Sequence, residues 1–228
     1  MVLKIRKKWL AVSVLIVLAF STFLCISVAK PSMSQRFAPI IVIDAGHGGS
    51  DGGSVSPFSG IDENHINLQY AKTLQQIMQS IGFKVVMTRE NLNGLYPLYS
   101  TNRKKDDMKK RKEIIDKSGA SLVVSIHMNS FPLQSCYGCQ TFYNPNSQSS
   151  ILLAQNIQEM FKKNLTNARA SAQSGDYFIL NCTDKPAVLV ECGFLSNQAE
   201  EQLLQTQNYR TTLCTLIAYG IILTLTWI

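Results

Sequence analysis

Short apolar runs alternate with longer amphipathic stretches through most of the chain. Four runs are rich in β-branched residues and are typical of buried strands: Ile40–Ile43, Phe83–Thr88, Ser121–Ile126 and Ala187–Val190. Between the first two runs, apolar residues recur at three- and four-residue spacing from Leu68 to Ile81, with Asp62 as a helix N-cap and Gly82 as a stop. A strand, a helix and a strand in this order predict a right-handed crossover and a parallel sheet.

The remaining patterns add further elements. Residues 103–113 hold seven basic and three acidic residues, which favours a solvated helix face with i,i+4 charge pairs over a patch for an anionic polymer. We predict strands at Gln140–Tyr143 and Tyr177–Leu180, and a helix over Ile151–Leu165. The uncharged segment Leu213–Ile228 is 16 residues long, which favours a buried core helix over a membrane span. The predicted fold is α/β: a single domain with a twisted, mostly parallel central sheet and helices on both faces.

A hydrophobic segment precedes this domain. Four basic residues lie in the first eight positions and are followed by Trp9–Val28, a run of 20 residues without a charge. This pattern fits either a cleaved signal peptide or a retained membrane anchor, and both indicate export. We assign residues 1–29 to this segment, 30–39 to a polar linker and 40–228 to the catalytic domain.

Charge and cysteine content narrow the function classes. Of the net charge of +7, four positive charges belong to the N-terminal segment, and the remaining +3 is too small to indicate a nucleic-acid-binding protein. Cys136 and Cys139 have the spacing of half a zinc site, but no second pair completes it. We therefore expect a solvent-side loop whose two cysteines are either free or bridged.

Three predicted strands are followed by polar side chains. The first leads into the loop Asp44-Ala45-Gly46-His47-Gly48-Gly49, the third into His127, and the late strand into Glu191. Because the carboxyl ends of parallel strands share one edge of a sheet, these groups are expected to converge there. Glu63 and His65 open the first helix at the same edge.

Two imidazoles and a carboxylate form the ligand set of a catalytic zinc site, with a further carboxylate as general acid and base. His47 and His127 are the candidate nitrogen ligands, Glu191 is the spare carboxylate, and Asp44 could orient His47. Spacing alone does not choose between Glu63 and His65 as the third ligand. A serine or cysteine hydrolase is less favoured, because no Gly-x-Ser-x-Gly motif is present and Cys192 has no evident histidine partner.

Four ordered motifs resemble the zinc-dependent N-acetylmuramoyl-L-alanine amidases of the amidase-3 type. They are Val42–Gly49, Glu63-Asn64-His65-Ile66-Asn67-Leu68, Ser125–Ser130 and Val190–Asn197. The resemblance implies Zn²⁺ held by His47, Glu63 and His127, with Glu191 as the catalytic residue. It implies peptidoglycan as substrate and cleavage between N-acetylmuramic acid and L-alanine.

Three further stretches resemble the germination-specific, spore-cortex branch of this family: 102–115, Gly138–Tyr143 and Lys185-Pro186. This branch implies removal of stem peptides on the way to muramic-δ-lactam. The expected location is the outer face of the cytoplasmic membrane or the cell wall and cortex space, with membrane contact through an uncleaved N-terminal segment and an accessory protein as a further partner. The alternatives are a zinc carboxypeptidase or deacetylase acting on peptidoglycan, or a non-catalytic wall-binding protein.

Overall fold

The computed structural model describes residues 38–227. The hydrophobic segment expected at residues 1–29 and nearly all of the linker at 30–39 lie outside the described residues. The strands are β1 Ile40–Ala45, β2 Lys84–Met87, β3 Leu122–Asn129, β4 Gln140–Tyr143, β5 Gln173–Ser174 and β6 Ala187–Phe194. The helices are α1 Glu63–Ser80, α2 Arg103–Ser118, α3 Gln148–Asn164, α4 Phe178–Asn181, α5 Gln198–Leu204 and α6 Gln207–Leu225.

The six strands form one sheet in the order β2-β1-β3-β6-β4-β5. β1 pairs in parallel with β2 and β3, and β3 pairs in parallel with β6. β4 pairs with β6 in the antiparallel direction, and β5 pairs in parallel with β4 at the edge, so these two strands run against the other four. The prediction of a mostly parallel α/β sheet with a β1-α1-β2 crossover is confirmed.

Helices cover both faces of this sheet. Alternate residues of a strand point to opposite faces, so Ile41 and Ile43 pack into the core under α1, α3 and α6. Val42 and Leu189 point to the other face, where they join Ile115 of α2 and Ile179 of α4. We call this second side the α2 face. Asp44, Ser125, His127 and Glu191 belong to it by the same alternation.

Two sequence predictions need correction. Tyr177–Leu180 is not a strand, because β5 already occupies the sheet edge beside β4 and residues 178–181 form the short helix α4. His127 and Glu191 do not follow their strands but lie within them, since pairing continues to Asn129 and Phe194.

The predicted C-terminal core helix is confirmed as α6. Its residues Leu213, Ile217 and Ile221 are fully buried against the rest of the core. Over residues 38–227, no helix is both long enough and apolar enough to cross a membrane.

Candidate metal centre

The loop after β1 places His47 in an unusual backbone conformation. His47 has a φ of 61°, a left-handed value that costs a non-glycine residue about 1–3 kcal/mol and is concentrated at functional sites. Gly48 and Gly49 follow with φ values of 142° and 63°, which a side chain would strain. The β-branched strand therefore ends in a turn whose geometry presents one imidazole.

Two glycines lie against the candidate ligands. A Cβ atom on Gly46 would come within 2.2 Å of the His127 ring, and one on Gly53 within 2.5 Å of Glu63 Oε2. Both distances are far below van der Waals contact. The chain thus wraps closely around the three side chains, and this packing accounts for glycine at both positions.

The side chains of His47, Glu63 and His127 converge. One ligand atom from each lies within 4.8 Å of the others. Glu63 Oε1 is 3.3 Å from His47 Nε2 and 3.0 Å from His127 Nδ1. Burial alone would lower the pKa of His47, but hydrogen bonding to Glu63, with its charge and that of Asp51, outweighs burial and raises it to about 9.

Glu63 is held rigidly in this cluster. It is 3% exposed, and its Oε1 accepts hydrogen bonds from Asn67 Nδ2 at 3.0 Å and from the Met128 amide at 3.2 Å. Oε2 accepts from the Ser54 amide at 3.0 Å. Burial alone would raise the pKa of Glu63, but hydrogen bonds and positive charge from His127 and His47 outweigh it and hold the pKa well below its usual range. The carboxylate is therefore ionised and oriented.

The group that orients His47 is Asp51, not Asp44 as the sequence suggested. His47 Nδ1 lies 2.9 Å from Asp51 Oδ1, which leaves Nε2 facing Glu63. Such a carboxylate fixes the imidazole tautomer and ring orientation at metal sites. Asp44 instead accepts hydrogen bonds from the Thr88 and Ser125 hydroxyls, both at 2.6 Å, and pairs with Arg111.

Two buried arginines clamp the His47 loop from its backbone side. Arg89 donates from Nε to the Ala45 carbonyl and from Nη2 to the Gly46 carbonyl, both at 2.8 Å. Arg111 donates to the Ala45 carbonyl at 2.8 Å and to the His47 carbonyl at 2.6 Å. Arg111 is 1% exposed, so the expectation that the charged stretch 103–113 forms only a solvated face is wrong at this position.

Glu191 lies beside the cluster on the neighbouring strand. It is directly in register with His127, so both side chains project from the α2 face. Among residues 38–227, no group forms a hydrogen bond with the buried Oε2 atom of Glu191. Burial raises the pKa of Glu191 to about 7, the charge of Glu63 adds to this, and the two histidines oppose it.

Comparison with known proteins assigns the family. The family model described as N-acetylmuramoyl-L-alanine amidase matches residues 41–222. The chain belongs to this amidase family. The predicted family and the prediction that the chain is an amidase enzyme are therefore confirmed.

Individual members of the family resemble the chain over most of its length. The germination-specific N-acetylmuramoyl-L-alanine amidase of Bacillus subtilis (strain 168) is 35% identical to the amidase chain over 198 residues, covering 85% of this chain and 82% of the relative. The CwlD amidase of Clostridioides difficile, solved in complex with the GerS lipoprotein, superposes with a TM-score of 0.78 at 36% identity, covering 82% and 98% of the two chains. The catalytic domain of CwlV from Bacillus (Paenibacillus) polymyxa var. colistinus gives 0.73 at 28% identity, covering 82% and 98%.

The amidase structure separates the alternatives that spacing left open. His65 is exposed on α1 and lies outside the cluster, whereas Glu63 lies inside it. Cys192 is fully buried and alternates with Glu191, so its thiol points to the opposite face of the sheet. Burial also raises the pKa of the Cys192 thiol well above its usual value, which disfavours a cysteine nucleophile.

The two-cysteine loop differs from its prediction. Cys136 and Cys139 are free cysteines, and Cys139 is fully buried rather than on the solvent side. Neither belongs to the His47–Glu63–His127 cluster. Asp51, Arg89 and Arg111, which support the candidate metal centre, were not predicted from the sequence. The i,i+4 spacing of His47 and Asp51 was visible, but it carries no meaning outside a helix.

Proposed function

We propose that the chain is a zinc-dependent hydrolase of the amide bond between the lactyl group of N-acetylmuramic acid and L-alanine in peptidoglycan. The observation that carries the proposal is the convergence of His47 Nε2, His127 Nδ1 and Glu63 Oε1, with Glu191 beside them. The family match supplies the reaction class.

The donor set fits zinc. Two imidazole nitrogens and one carboxylate oxygen are the protein ligands of many catalytic zinc sites, which keep a further position for water or substrate. The hydrogen bonds from Asn67, Ser54 and Met128 to Glu63, and the contact of Asp51 with His47, supply the outer support that metal ligands require. A bound Zn²⁺ would polarise the scissile carbonyl and make water more acidic at this point.

Glu191 is proposed as the general base and then the general acid. Its Oε2 is buried, unpaired within residues 38–227 and next to His127, so it can accept a proton from the attacking water. It can return that proton to the alanine nitrogen as the amide bond breaks. In the metal-free chain, burial raises the pKa of Glu191 to about 7. A cation bound nearby favours the ionised carboxylate, which is the form that accepts the proton of the water.

Digestion of purified peptidoglycan followed by mass spectrometry tests the reaction. The proposal expects free peptides that begin with L-alanine, together with unsubstituted muramic acid. Release of single carboxyl-terminal residues would instead indicate a carboxypeptidase, and loss of acetyl groups a deacetylase. Absence of any product would favour a wall-binding protein without turnover.

Metal analysis of single variants tests the ligands. His47→Ala, Glu63→Ala and His127→Ala are each expected to lose bound zinc and hydrolysis. His65→Ala is the matched control, because His65 is an exposed histidine only two residues from Glu63. Zinc loss in His65→Ala, or retention in Glu63→Ala, would contradict the proposed ligand set.

We extend the proposal to spore cortex maturation at an exported site, because the B. subtilis relative is a germination-specific amidase. The amidase is expected to remove stem peptides on the way to muramic-δ-lactam, at the outer face of the membrane or in the cell wall and cortex space. Muropeptide profiles of spores lacking the chain test this role, and loss of localisation on removing residues 1–29 tests the export segment.

The proposal also includes an accessory protein. The C. difficile relative was solved in complex with the GerS lipoprotein, and by analogy we propose a lipoprotein partner for this chain. Co-purification of the full chain with a coexpressed candidate lipoprotein, measured by light scattering, tests it.

A further inference from the structure

The basic residues of α2 divide into two groups. Lys110, Lys112 and Lys117 form salt bridges with Glu113 or Asp116 at 2.6–3.0 Å, and Arg111 is buried. Towards the start of the helix the cations are exposed, and across residues 38–227 none of them forms a salt bridge: Arg103, Lys104, Lys105 and Lys109. Charge pairs within the helix therefore account only for the basic residues in the second half of α2.

Two cavities lie along the unpaired half. The first has a volume of about 300 Å³ and includes Ser50, Asp51, Tyr96, Arg103 and Lys104 in its lining. The second has a volume of about 510 Å³ and includes Lys104, Lys105, Lys109, Met108 and Phe178. Because Lys104 and Met108 line both, the cavities lie side by side along α2, and we call the two together the α2 groove.

The α2 groove flanks the proposed metal centre. At one end it begins at Asp51, whose Oδ1 is 2.9 Å from His47 Nδ1. At the other end it reaches Phe178, which is 48% exposed and follows Tyr177.

The first cavity is arranged to present cations. The Arg103 guanidinium lies 5.4 Å from the centre of the Tyr96 ring, a cation–π contact that restrains it. The Tyr96 hydroxyl donates to Ser50 Oγ at 3.0 Å, which fixes the ring in turn. The acidic members are already engaged, because Asp51 contacts His47 and Asp107 pairs with Arg111. Arg103 and Lys104 thus have capacity for an external anion.

We propose that the α2 groove binds the stem peptide, with Arg103 and Lys104 recognising the free α-carboxylate of the acidic residue that follows L-alanine. This inference rests on the proposed function. At a substituted muramic acid the lactyl carboxyl is tied up in the scissile amide, so the glycan offers no carboxylate there and the peptide does. Met108, Phe178 and the lysine methylenes supply an apolar wall for the peptide chain.

Binding of two dipeptides tests the proposal. L-alanyl-D-glutamate and L-alanyl-D-isoglutamine differ only in amidation of the α-carboxyl group. The wild-type chain should bind the carboxylate form about 3- to 10-fold more tightly by calorimetry or NMR titration, a range typical of one or two exposed charge contacts. The preference should decrease when the salt concentration in the assay is raised from roughly 50 to 500 mM, because exposed charges become screened over this range.

Arg103→Gln/Lys104→Gln should abolish the preference and leave binding of the amidated dipeptide unchanged. Lys162→Gln/Lys163→Gln is the matched control, because it removes two exposed charges from α3 and should retain the preference. Equal affinity of the wild-type chain for the two dipeptides would overturn the inference. So would an unchanged preference in the Arg103/Lys104 variant, or displacement of the dipeptide by peptide-free glycan strands.

Hydrolysis is measured separately, on muramoyl peptides carrying either form of the second residue. The inference expects the carboxylate preference to appear in KM rather than kcat. A chain that binds the carboxylate dipeptide selectively but releases no L-alanine-initiated peptide would refute the proposed function and support the groove. Hydrolysis of both substrates with equal KM would support the function and refute the groove.

Discussion

Replacing Glu191 with glutamine should stabilise the metal-free protein while inactivating it. Glu191 is 9% exposed, and in the part of the chain that the structure describes its Oε2 atom has no hydrogen-bond partner. Burial raises its pKa from 4.5 to about 7, with the charge of Glu63 adding to the increase and the charges of His127 and His47 opposing it. At about 1.4 kcal/mol per pH unit, this difference means that ionising Glu191 costs the native state about 3 kcal/mol.

The direction in which stability changes with pH follows from proton linkage. Between pH 4.5 and about 7 the native state binds a proton at Glu191 that the unfolded state has released, so wild-type stability falls as pH rises through this window. Glutamine does not titrate. The advantage of Glu191→Gln in the free energy of unfolding should therefore be about 1 kcal/mol at pH 5 and about 3 kcal/mol at pH 8. The pKa of about 7 already includes the opposing charges of His127 and His47 on Glu191.

Urea unfolding of chelator-treated protein at the two pH values measures this gap. Glu90→Gln, at an exposed glutamate, is the control and should show no comparable gain. With zinc added the gap should narrow, because a nearby cation favours the ionised carboxylate. Hydrolysis by Glu191→Gln should fall by about 10²- to 10⁴-fold with zinc retained. If Glu191→Gln were no more stable than the wild type, or if its advantage decreased from pH 5 to pH 8, ionisation of Glu191 would not destabilise the native state and this reasoning would be refuted.

Three further substitutions probe the support of the centre. Asp51→Asn should weaken zinc binding by about 10- to 100-fold in chelator competition, because the carboxylate beside His47 Nδ1 is lost. Gly46→Ala should lower zinc content, since the new methyl group would meet the His127 ring at 2.2 Å; full occupancy would contradict the close packing. Arg111→Met should lower the free energy of unfolding by about 3–5 kcal/mol in urea, because it leaves two buried carboxylates uncompensated. A loss below about 1 kcal/mol would show that they find other partners.

The central strands and the long helices could be predicted from the sequence because each has a simple burial pattern. β1 and β6 are buried along nearly their whole length, so their apolar runs are unbroken. Because the carboxyl ends of parallel strands share one edge of the sheet, His47, His127 and Glu191 could then be predicted to lie close together. α4 was misassigned because four residues, Phe178–Asn181, carry too short a pattern to distinguish one helical turn from a strand.

The supporting residues could not be predicted, because their roles depend on tertiary contacts. Arg89 and Arg111 donate to carbonyls more than 40 residues away in the chain. Nothing in the local pattern around Arg111 distinguishes it from Lys110 or Lys112, which are exposed. Choosing Glu63 over His65 likewise required either the family motif or the structure, since both residues lie in the first turn of α1.

Helix α2 contacts both the His47 loop and the α2 groove. On its buried side Arg111, which pairs with Asp107 one turn earlier, donates to the carbonyl of His47. On its exposed side, Arg103 and Lys104 precede the same turn and line the groove that begins at Asp51. A shift of α2 would therefore move the His47 loop and the cations together. If the groove binds the stem peptide as proposed, binding there should also order the metal centre, and dipeptide and zinc should each raise the other's affinity by the same factor. Independent affinities would show that α2 is only a static support.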